Sequence, residues 1–294
     1  MIRALQQLAA YMLTIALVTA PAHADKLKVV ASFSILGDMV NQVTGDKATV
    51  TTIVGPNADA HVYTPSVSDA RAVTEADVVF VNGLGFETWS KTLIENSGTR
   101  AKVYVATGGI KPLKVDDETD PHAWNSLTNG VIYVRNIAKS LSAVDSANAA
   151  AYKANADAYI KTLQSLHDRT TKELAALPKT RRTVVTAHDA FGYLANAYGL
   201  RFLAPVGIDT EAEPSAKQLA DLIKQLKKEE VAGLFVENIT SPALVKQIAR
   251  ETGLSVGGRL FSDALSAKDG PATSYYSMFE HNLSVILAAL KGKS

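Results

Sequence analysis

Cysteine is missing from the sequence of 294 residues. Disulfide bonds, thiolate metal sites and cysteine nucleophiles are therefore excluded, and we expect no lipid anchor of the kind carried by an N-terminal cysteine. A charge excess is missing too, since 30 basic residues face 29 acidic ones, and we expect no binding to nucleic acid. The hydrophobic fraction of 47% and the charged fraction of 20% are typical of a folded globular protein.

The segment 1–24 has the features of a secretory signal peptide. Arg3 provides a positive start, residues 8–18 form an apolar run, and small residues at Ala22 and Ala24 form a cleavage site before Asp25. The alternative is a membrane anchor, which needs about 20 apolar residues, and this run is shorter. We therefore expect a cleaved signal peptide and a monomeric protein in the periplasm without a membrane anchor.

Short β-branched runs alternate with helical stretches along the rest of the chain, which predicts an α/β fold with parallel sheets. The first half has predicted strands at 27–33, 50–54, 78–82 and 102–105, and helices at 35–44 and 68–75. The second half has predicted strands at 183–186, 201–204, 233–236 and 255–257, and helices at 190–197, 215–229, 243–252 and 275–290. Each half thus forms a lobe with a four-stranded parallel sheet flanked by helices, the N-terminal lobe at 25–144 and the C-terminal lobe at 179–294.

A stretch without glycine or proline, residues 145–177, separates the two halves. Mostly apolar side chains recur in it at steps of three or four, from Tyr152 to Leu174, which predicts one helix of roughly 50 Å. A coiled-coil arm is the alternative, but the stripe is short and rich in alanine. We interpret 145–178 as one long rigid linker helix packed against both lobes, which makes a large hinge rotation costly.

Four residues able to bind a metal ion follow predicted strands or the acidic loop at 116–120, namely His61, His122, His188 and Asp263. Ligands of open α/β sheets bind beyond the carboxyl ends of the strands, and two facing sheets would bring these residues into one cleft. Three imidazoles and one carboxylate suit a four-coordinate Zn²⁺ ion. The spacing alone leaves open that each residue only caps a turn or makes a hydrogen bond.

The segments at 61–65, 120–124, 198–200, 207–215 and 257–263 occur in a characteristic order. With them, the chain from Lys26 to Leu290 resembles the metal-binding family of solute-binding proteins that serve zinc and manganese ABC importers. The resemblance implies two lobes joined by one long helix and a single metal ion between the lobes. It also implies a partner, an inner-membrane ABC permease with its ATPase, and a ligand set of His61, His122, His188 and Asp263.

The third ligand position bears on the choice of metal. Manganese-preferring members of the family carry Glu there, whereas this chain has His188, and nitrogen ligands favour Zn²⁺ over Mn²⁺. The histidine-rich loop typical of zinc members is missing, because residues 116–120 are short and acidic. We expect an exported, high-affinity Zn²⁺-binding protein that delivers the ion to an ABC importer. A Mn²⁺ or mixed Zn/Mn importer protein is the alternative.

Neighbouring residues have expected roles that do not involve a bond to the metal. Asp120 or Asp189 is expected to accept the free ring N–H of a ligating histidine and so to orient it. Glu237 ends a predicted strand and is expected to support the site without being a ligand. Trp124 is expected to pack against a wall of the cleft.

Two further predictions concern what the site does not contain. His167 and His281 lie on predicted helices and are expected to play no part in metal binding. With four protein ligands no position is left open for a catalytic water, so we expect no enzymatic activity. If Asp263 lay away from the metal, a zinc hydrolase with Glu237 as general base would be the alternative.

Overall fold

The computed structural model describes residues 26–115, 117–178 and 182–292. The predicted signal peptide at 1–24 lies outside these ranges. Within them, no helix combines the length and the apolar character needed to cross a membrane.

The first lobe contains the strands β1 (Leu27–Phe33), β2 (Ala48–Val54), β3 (Val78–Val81) and β4 (Lys102–Val105). They form a parallel sheet in the order β2-β1-β3-β4. The central strand β3 is buried along its whole length, as expected where helices cover both faces of a sheet. Residues near the acidic loop form a small hairpin of β5 (Lys114–Val115) and β6 (Glu118–Thr119). The helices of this lobe are α1 (Ser34–Thr44), α2 (Val67–Thr74), α3 (Ser90–Ser97) and α4 (Leu127–Val144).

The second lobe repeats this architecture with the strands β7 (Thr183–Val185), β8 (Arg201–Leu203), β9 (Val231–Glu237) and β10 (Val256–Leu260). These strands are also parallel and lie in the order β10-β9-β7-β8. The flanking helices are α6 (Gly192–Tyr198), α7 (Ala216–Leu226), α8 (Ala243–Thr252) and α9 (Tyr275–Leu290). Apolar residues on one side of α7, such as Leu222, Ile223 and Leu226, are buried against the sheet.

One long helix, α5 (Ala149–Ala175), connects the lobes. Its 27 residues span about 40 Å, and it starts later than predicted because Ser146–Asn148 forms a separate short turn of 3-10 helix. The predicted stripe is buried from Tyr152 to Leu174, and the helix packs on α1 and α4 of the first lobe and on α9 of the second. A projecting coiled-coil arm is therefore the wrong interpretation, and the packed linker is the right one.

The two sheets do not have equivalent cores. One continuous apolar cluster fills the first lobe, includes the buried side of α5 and reaches the inner face of the second sheet, where it includes Val184 and Phe235. A second, smaller cluster lies on the outer face, where the adjacent residues Val185 and Leu234 pack with α7 and α8. Because side chains alternate between the faces of a strand, β7 and β9 contribute to both clusters. The region between the lobes is thus closely packed.

The predicted fold class is confirmed, with differences in individual elements. β1, β4, α8 and α9 begin and end at the predicted residues. The helices α3 and α4 were not predicted, although α4 carries buried residues at helical spacing, among them Val134, Ile137 and Leu141. Part of the predicted acidic loop pairs as the β5–β6 hairpin, with Lys114 opposite Thr119.

Candidate metal centre

The four predicted metal-binding residues come from the carboxyl-terminal side of the two sheets. His61 lies in the loop after β2, His188 follows β7 and Asp263 follows β10. His122 lies behind the hairpin, directly before the short 3-10 helix Ala123–Asn125. The structure brings all four together, because one nitrogen or oxygen atom from each side chain lies within 4.8 Å of the others, and all four residues are buried.

Asp263 contacts all three imidazoles. Its Oδ2 lies 3.2 Å from Nε2 of His61 and 3.1 Å from Nε2 of His188. Its Oδ1 lies 3.8 Å from Nε2 of His122, and the Nε2 atoms of His61 and His122 are 3.2 Å apart. The three imidazoles thus present the same nitrogen to one point, where a small cation can be held by four protein groups.

His122 is oriented by a carboxylate on its own loop. Oδ1 of Asp120 lies 2.8 Å from Nδ1 of His122 and also accepts the backbone N–H of His122 at 2.9 Å. When Nδ1 carries the hydrogen, the lone pair of Nε2 is left free for a metal ion. Asp120 therefore has the orienting contact expected of it.

His188 is held by a carboxylate from a neighbouring strand. Oε1 of Glu237, the last residue of β9, accepts the backbone N–H groups of Ala187 and His188 at 2.7 and 3.0 Å. Oε2 lies 2.6 Å from Nδ1 of His188, a close contact between a carboxylate and the imidazole. Glu237 thus supports the histidine from behind, as expected.

The charges of this cluster shift the pKa values of two of its members. Burial lowers the pKa of His188, but the carboxylates of Glu237 and Asp263 outweigh this and hold the pKa well above its ordinary value. Burial raises the pKa of Asp263, but the imidazoles of His188 and His122 outweigh it and hold the pKa well below its ordinary value. In the metal-free protein a proton therefore stays on His188, and a metal ion has to displace it.

Aromatic rings enclose the first-lobe side of the cluster. The ring of Phe86 lies edge-on to His61 at 4.8 Å between centroids, and Trp124 lies 5.3 Å from His122. Trp124 is fully buried and donates its indole N–H to the carbonyl of Ser262, the residue before Asp263, at 2.8 Å. It packs against the cleft wall as expected, and it also links the loops of two candidate ligands from different lobes.

Two residues of this environment were not predicted. Asn125 donates from Nδ2 to the carbonyl of Ala190 at 2.9 Å, and Phe86 contacts both first-lobe histidines. Asn125 belongs to the same short helix as Trp124, so its proximity to His122 in the sequence was an available signal. Phe86 lies in the loop between β3 and α3, and nothing in its local sequence distinguishes it from an ordinary core residue.

The two remaining histidines of the described chain lie outside the cluster. Nδ1 of His167, on α5, lies 3.0 Å from the hydroxyl of Tyr198. Nε2 of His281, on α9, lies 2.9 Å from the backbone carbonyl of Arg259. Both side chains make contacts away from the cluster.

The sequence from residue 29 to residue 289 matches the protein family described as the zinc-uptake complex component A, periplasmic. The chain belongs to this family, whose members are metal-binding solute-binding proteins of ABC importers. The chemistry of the buried cluster agrees with this class, since it is made of groups that bind metal ions.

Named relatives within this class differ in their metals. The manganese-binding lipoprotein MntA of Halalkalibacterium halodurans is 33% identical over 267 residues, which cover 90% of this chain and 89% of that protein. A Mn-bound periplasmic metal-binding protein from Candidatus Liberibacter asiaticus is 34% identical with a TM-score of 0.84, covering 90% of this chain and all of that one. The periplasmic zinc-binding protein TroA of Treponema pallidum is 27% identical with a TM-score of 0.86, covering 90% of this chain and 99% of that one.

Proposed function

We propose that this protein binds one Zn²⁺ ion through His61, His122, His188 and Asp263 and delivers it to an inner-membrane permease with its ATPase. The observation that carries the proposal is the convergence of three Nε2 atoms and one carboxylate at a buried point. Nitrogen-rich sets of this kind favour zinc over manganese, which prefers oxygen ligands.

The distances between the candidate ligand atoms support a tetrahedral ion. Zinc bonds of ordinary length at tetrahedral angles place neighbouring ligand atoms about 3.3 Å apart. The contacts of Asp263 Oδ2 with His61 and His188, at 3.2 and 3.1 Å, and the 3.2 Å between His61 and His122 are close to this value. Little rearrangement is then needed to bind zinc, and a preformed site of this kind favours high affinity.

We infer that the site serves transport and not catalysis. A catalytic zinc keeps one coordination position for water and has a general base close by. Here Asp263 lies among the histidines, and it is the group that would close that position. Glu237, the candidate base of the hydrolase alternative, is engaged by two backbone N–H groups and lies on the Nδ1 side of His188, away from the converging Nε2 atoms.

Manganese, alone or beside zinc, is the second candidate cargo, and one feature of Asp263 favours it. Oδ2 contacts two of the histidines, while the buried Oδ1 has no hydrogen-bond partner among the described residues and faces His122. A carboxylate that uses both oxygens would give five protein donor atoms, which suits a metal with a higher coordination number. The relatives named above include proteins of both metals.

The remaining parts of the proposal concern processing and domain limits. We propose a cleaved signal peptide at 1–24, lobes at 25–144 and 179–294, a linker at 145–178, and a monomer in the periplasm. MntA of Halalkalibacterium halodurans is named a lipoprotein. Whether the present protein is free or anchored is decided by fractionating cells and by measuring the mass of the mature chain.

Competition between the two metals tests the proposed cargo. Protein stripped of metal is titrated with Zn²⁺ and with Mn²⁺ against a calibrated chelator, and we expect one site per chain with zinc bound more tightly. The matched variant is His188→Glu, which makes two imidazoles and two carboxylates and should shift the preference toward manganese. Equal affinity for both metals in the unaltered protein, or two equivalent zinc sites, would contradict the proposal.

A further inference from the structure

A short segment of the second lobe, residues 206–210, contacts the loop that carries His61 and the strand end that carries His188. We call it the strap. At one end it runs beside the strand end that carries His188: Val206 forms a β-bridge with His188, and the carbonyl of Gly207 accepts the backbone N–H of Asp189 at 3.1 Å. At its other end, the hydroxyl of Thr210 donates to Oδ2 of Asp59 at 2.6 Å.

Asp59 connects the strap to the first-lobe side of the metal site. Its Oδ1 accepts the backbone N–H of His61 at 2.9 Å, while its Oδ2 accepts the hydroxyl of Thr210. One carboxylate therefore holds the backbone of a candidate ligand and a side chain from the opposite lobe. Asp59 and Thr210 are both only partly buried, so their contact lies near the surface of the cleft.

The strap borders an open space beside the site. A cavity of about 670 Å³ is lined by Asp59, Thr210 and Val206, and also by Ala187, which precedes His188. The cavity thus reaches residues within two positions of His61 and His188, whereas the candidate ligands themselves are buried. The contact between Asp59 and Thr210 thus lies at the edge of the cavity, close to the loops of His61 and His188.

We propose that Asp59 and Thr210 are a pair of positioning residues that sets the lifetime of the bound metal ion. This inference rests on the proposed function and adds to that function a control of metal release. While the hydroxyl of Thr210 is bonded to Asp59, the loop of His61 and the strand end of His188 are tied together across the cleft. When this bond breaks, the loop of His61 is freed from the second lobe at this point and the metal can leave.

The substitution Thr210→Val tests the pair without touching His61. Valine keeps the branched shape and has a methyl group in place of the hydroxyl, and Asp59 still accepts the backbone N–H of His61. A hydrogen bond to a charged group is strong enough to change a rate by about tenfold, so we expect zinc to dissociate about tenfold faster. The metal-free variant should keep the circular-dichroism spectrum of the unaltered protein, which a general loss of the fold would not allow.

Two further variants complete the experiment, in which zinc-loaded protein is mixed with excess chromophoric chelator and release is followed by stopped flow. Thr210→Ser keeps the hydroxyl and should release zinc as slowly as the unaltered protein. Thr162→Val makes the same change on α5, where the hydroxyl bonds to the carbonyl of Ala158 on the same helix, and should release zinc at the unaltered rate.

The inference is overturned if Thr210→Val releases zinc at the unaltered rate, or if Thr162→Val or Thr210→Ser releases zinc as fast as Thr210→Val. These outcomes leave the proposed function intact, because zinc still binds. An unaltered protein that takes up no zinc contradicts the proposed function itself, and the two failures are therefore distinguishable.

Discussion

The first-lobe and second-lobe sides of the metal site support their histidines by different means. His122 has its carboxylate partner Asp120 two positions earlier on the same loop, with a hydrogen bond of 2.8 Å to Nδ1. His188 has Glu237, which is 49 positions away on a neighbouring strand and approaches Nδ1 at 2.6 Å. One support is local in the sequence, and the other exists only after the second sheet has formed.

The difference has a consequence for protonation. Glu237 and Asp263 lie on opposite sides of the His188 ring, and together they raise its pKa well above the ordinary value. For His122, by contrast, the contact with Asp120 serves to fix the orientation and the hydrogen position of the ring. On the second-lobe side of the site, metal binding is thus coupled to release of the proton on His188.

The largest effect should come from removing a candidate ligand. His61→Ala, His122→Ala and His188→Ala should each weaken zinc binding by orders of magnitude, because a bond is lost and water enters the site. Chelator competition measures this. His167→Ala and His281→Ala are the controls and should leave the affinity unchanged, so any insensitive variant among the first three identifies a residue that is not a ligand.

Removing the supporting carboxylates should weaken zinc binding less than removing a ligand, and the loss should differ between the two sides of the site. Asp120→Asn should weaken zinc binding by about 10- to 100-fold, as is typical when the partner of a ligating histidine is lost. Glu237→Gln should cost less near neutral pH, because it also removes a charge that favours the competing proton on His188.

Isothermal titration at two pH values distinguishes the two carboxylate variants. We expect the affinity of Glu237→Gln to depend less on pH than that of the unaltered protein, and that of Asp120→Asn to keep the full dependence. Equal pH dependence in both variants would mean that Glu237 does not control the protonation of His188.

The stability of the protein should respond to pH in opposite ways with and without metal. In the metal-free fold the raised pKa of His188 favours its protonated form. This contribution to stability is fully present below the ordinary pKa of about 6.5 and is lost as the pH rises through the raised value. Bound metal requires the neutral ring, so the stabilisation by metal should instead grow over the same pH window.

Melting temperatures with and without zinc, measured across this window, test the sign. At a thousandfold excess over Kd, metal binding to the native state adds about 4 kcal/mol, enough for a clear rise in Tm. The difference between the two melting temperatures should shrink as the pH falls. A difference that stayed constant down to acidic pH would rule out histidine ligation.

The smallest expected effect is on the overall shape. The helix α5 packs on both lobes, and one apolar cluster continues from the first lobe to the inner face of the second sheet. Metal binding should therefore change loops such as those of His61 and His188 and leave the arrangement of the lobes intact. Small-angle scattering with and without zinc should give the same radius of gyration, and a clear decrease would show hinge closure instead.

Much of the fold follows from local patterns in the sequence. The pattern of β-branched runs and helical stripes predicted the observed limits of β1, β4, α8 and α9. Strands and helices can be told apart in this way because they bury their apolar residues with different periods. The helix α4 escaped prediction, although its buried residues Val131, Val134 and Ile137 recur at helical spacing.

The sequence by itself determined the groups available for metal binding. The absence of cysteine leaves histidine and carboxylate as donors, and Asp120 lies close enough along the chain to His122 for its role to be foreseen. The tertiary structure alone decided which of these groups meet: that Asp263 lies between the histidines, that Glu237 lies behind His188, and that Thr210 reaches Asp59. Contacts between residues far apart in the chain depend on how two sheets face each other across a packed linker helix, and no local periodicity specifies that arrangement.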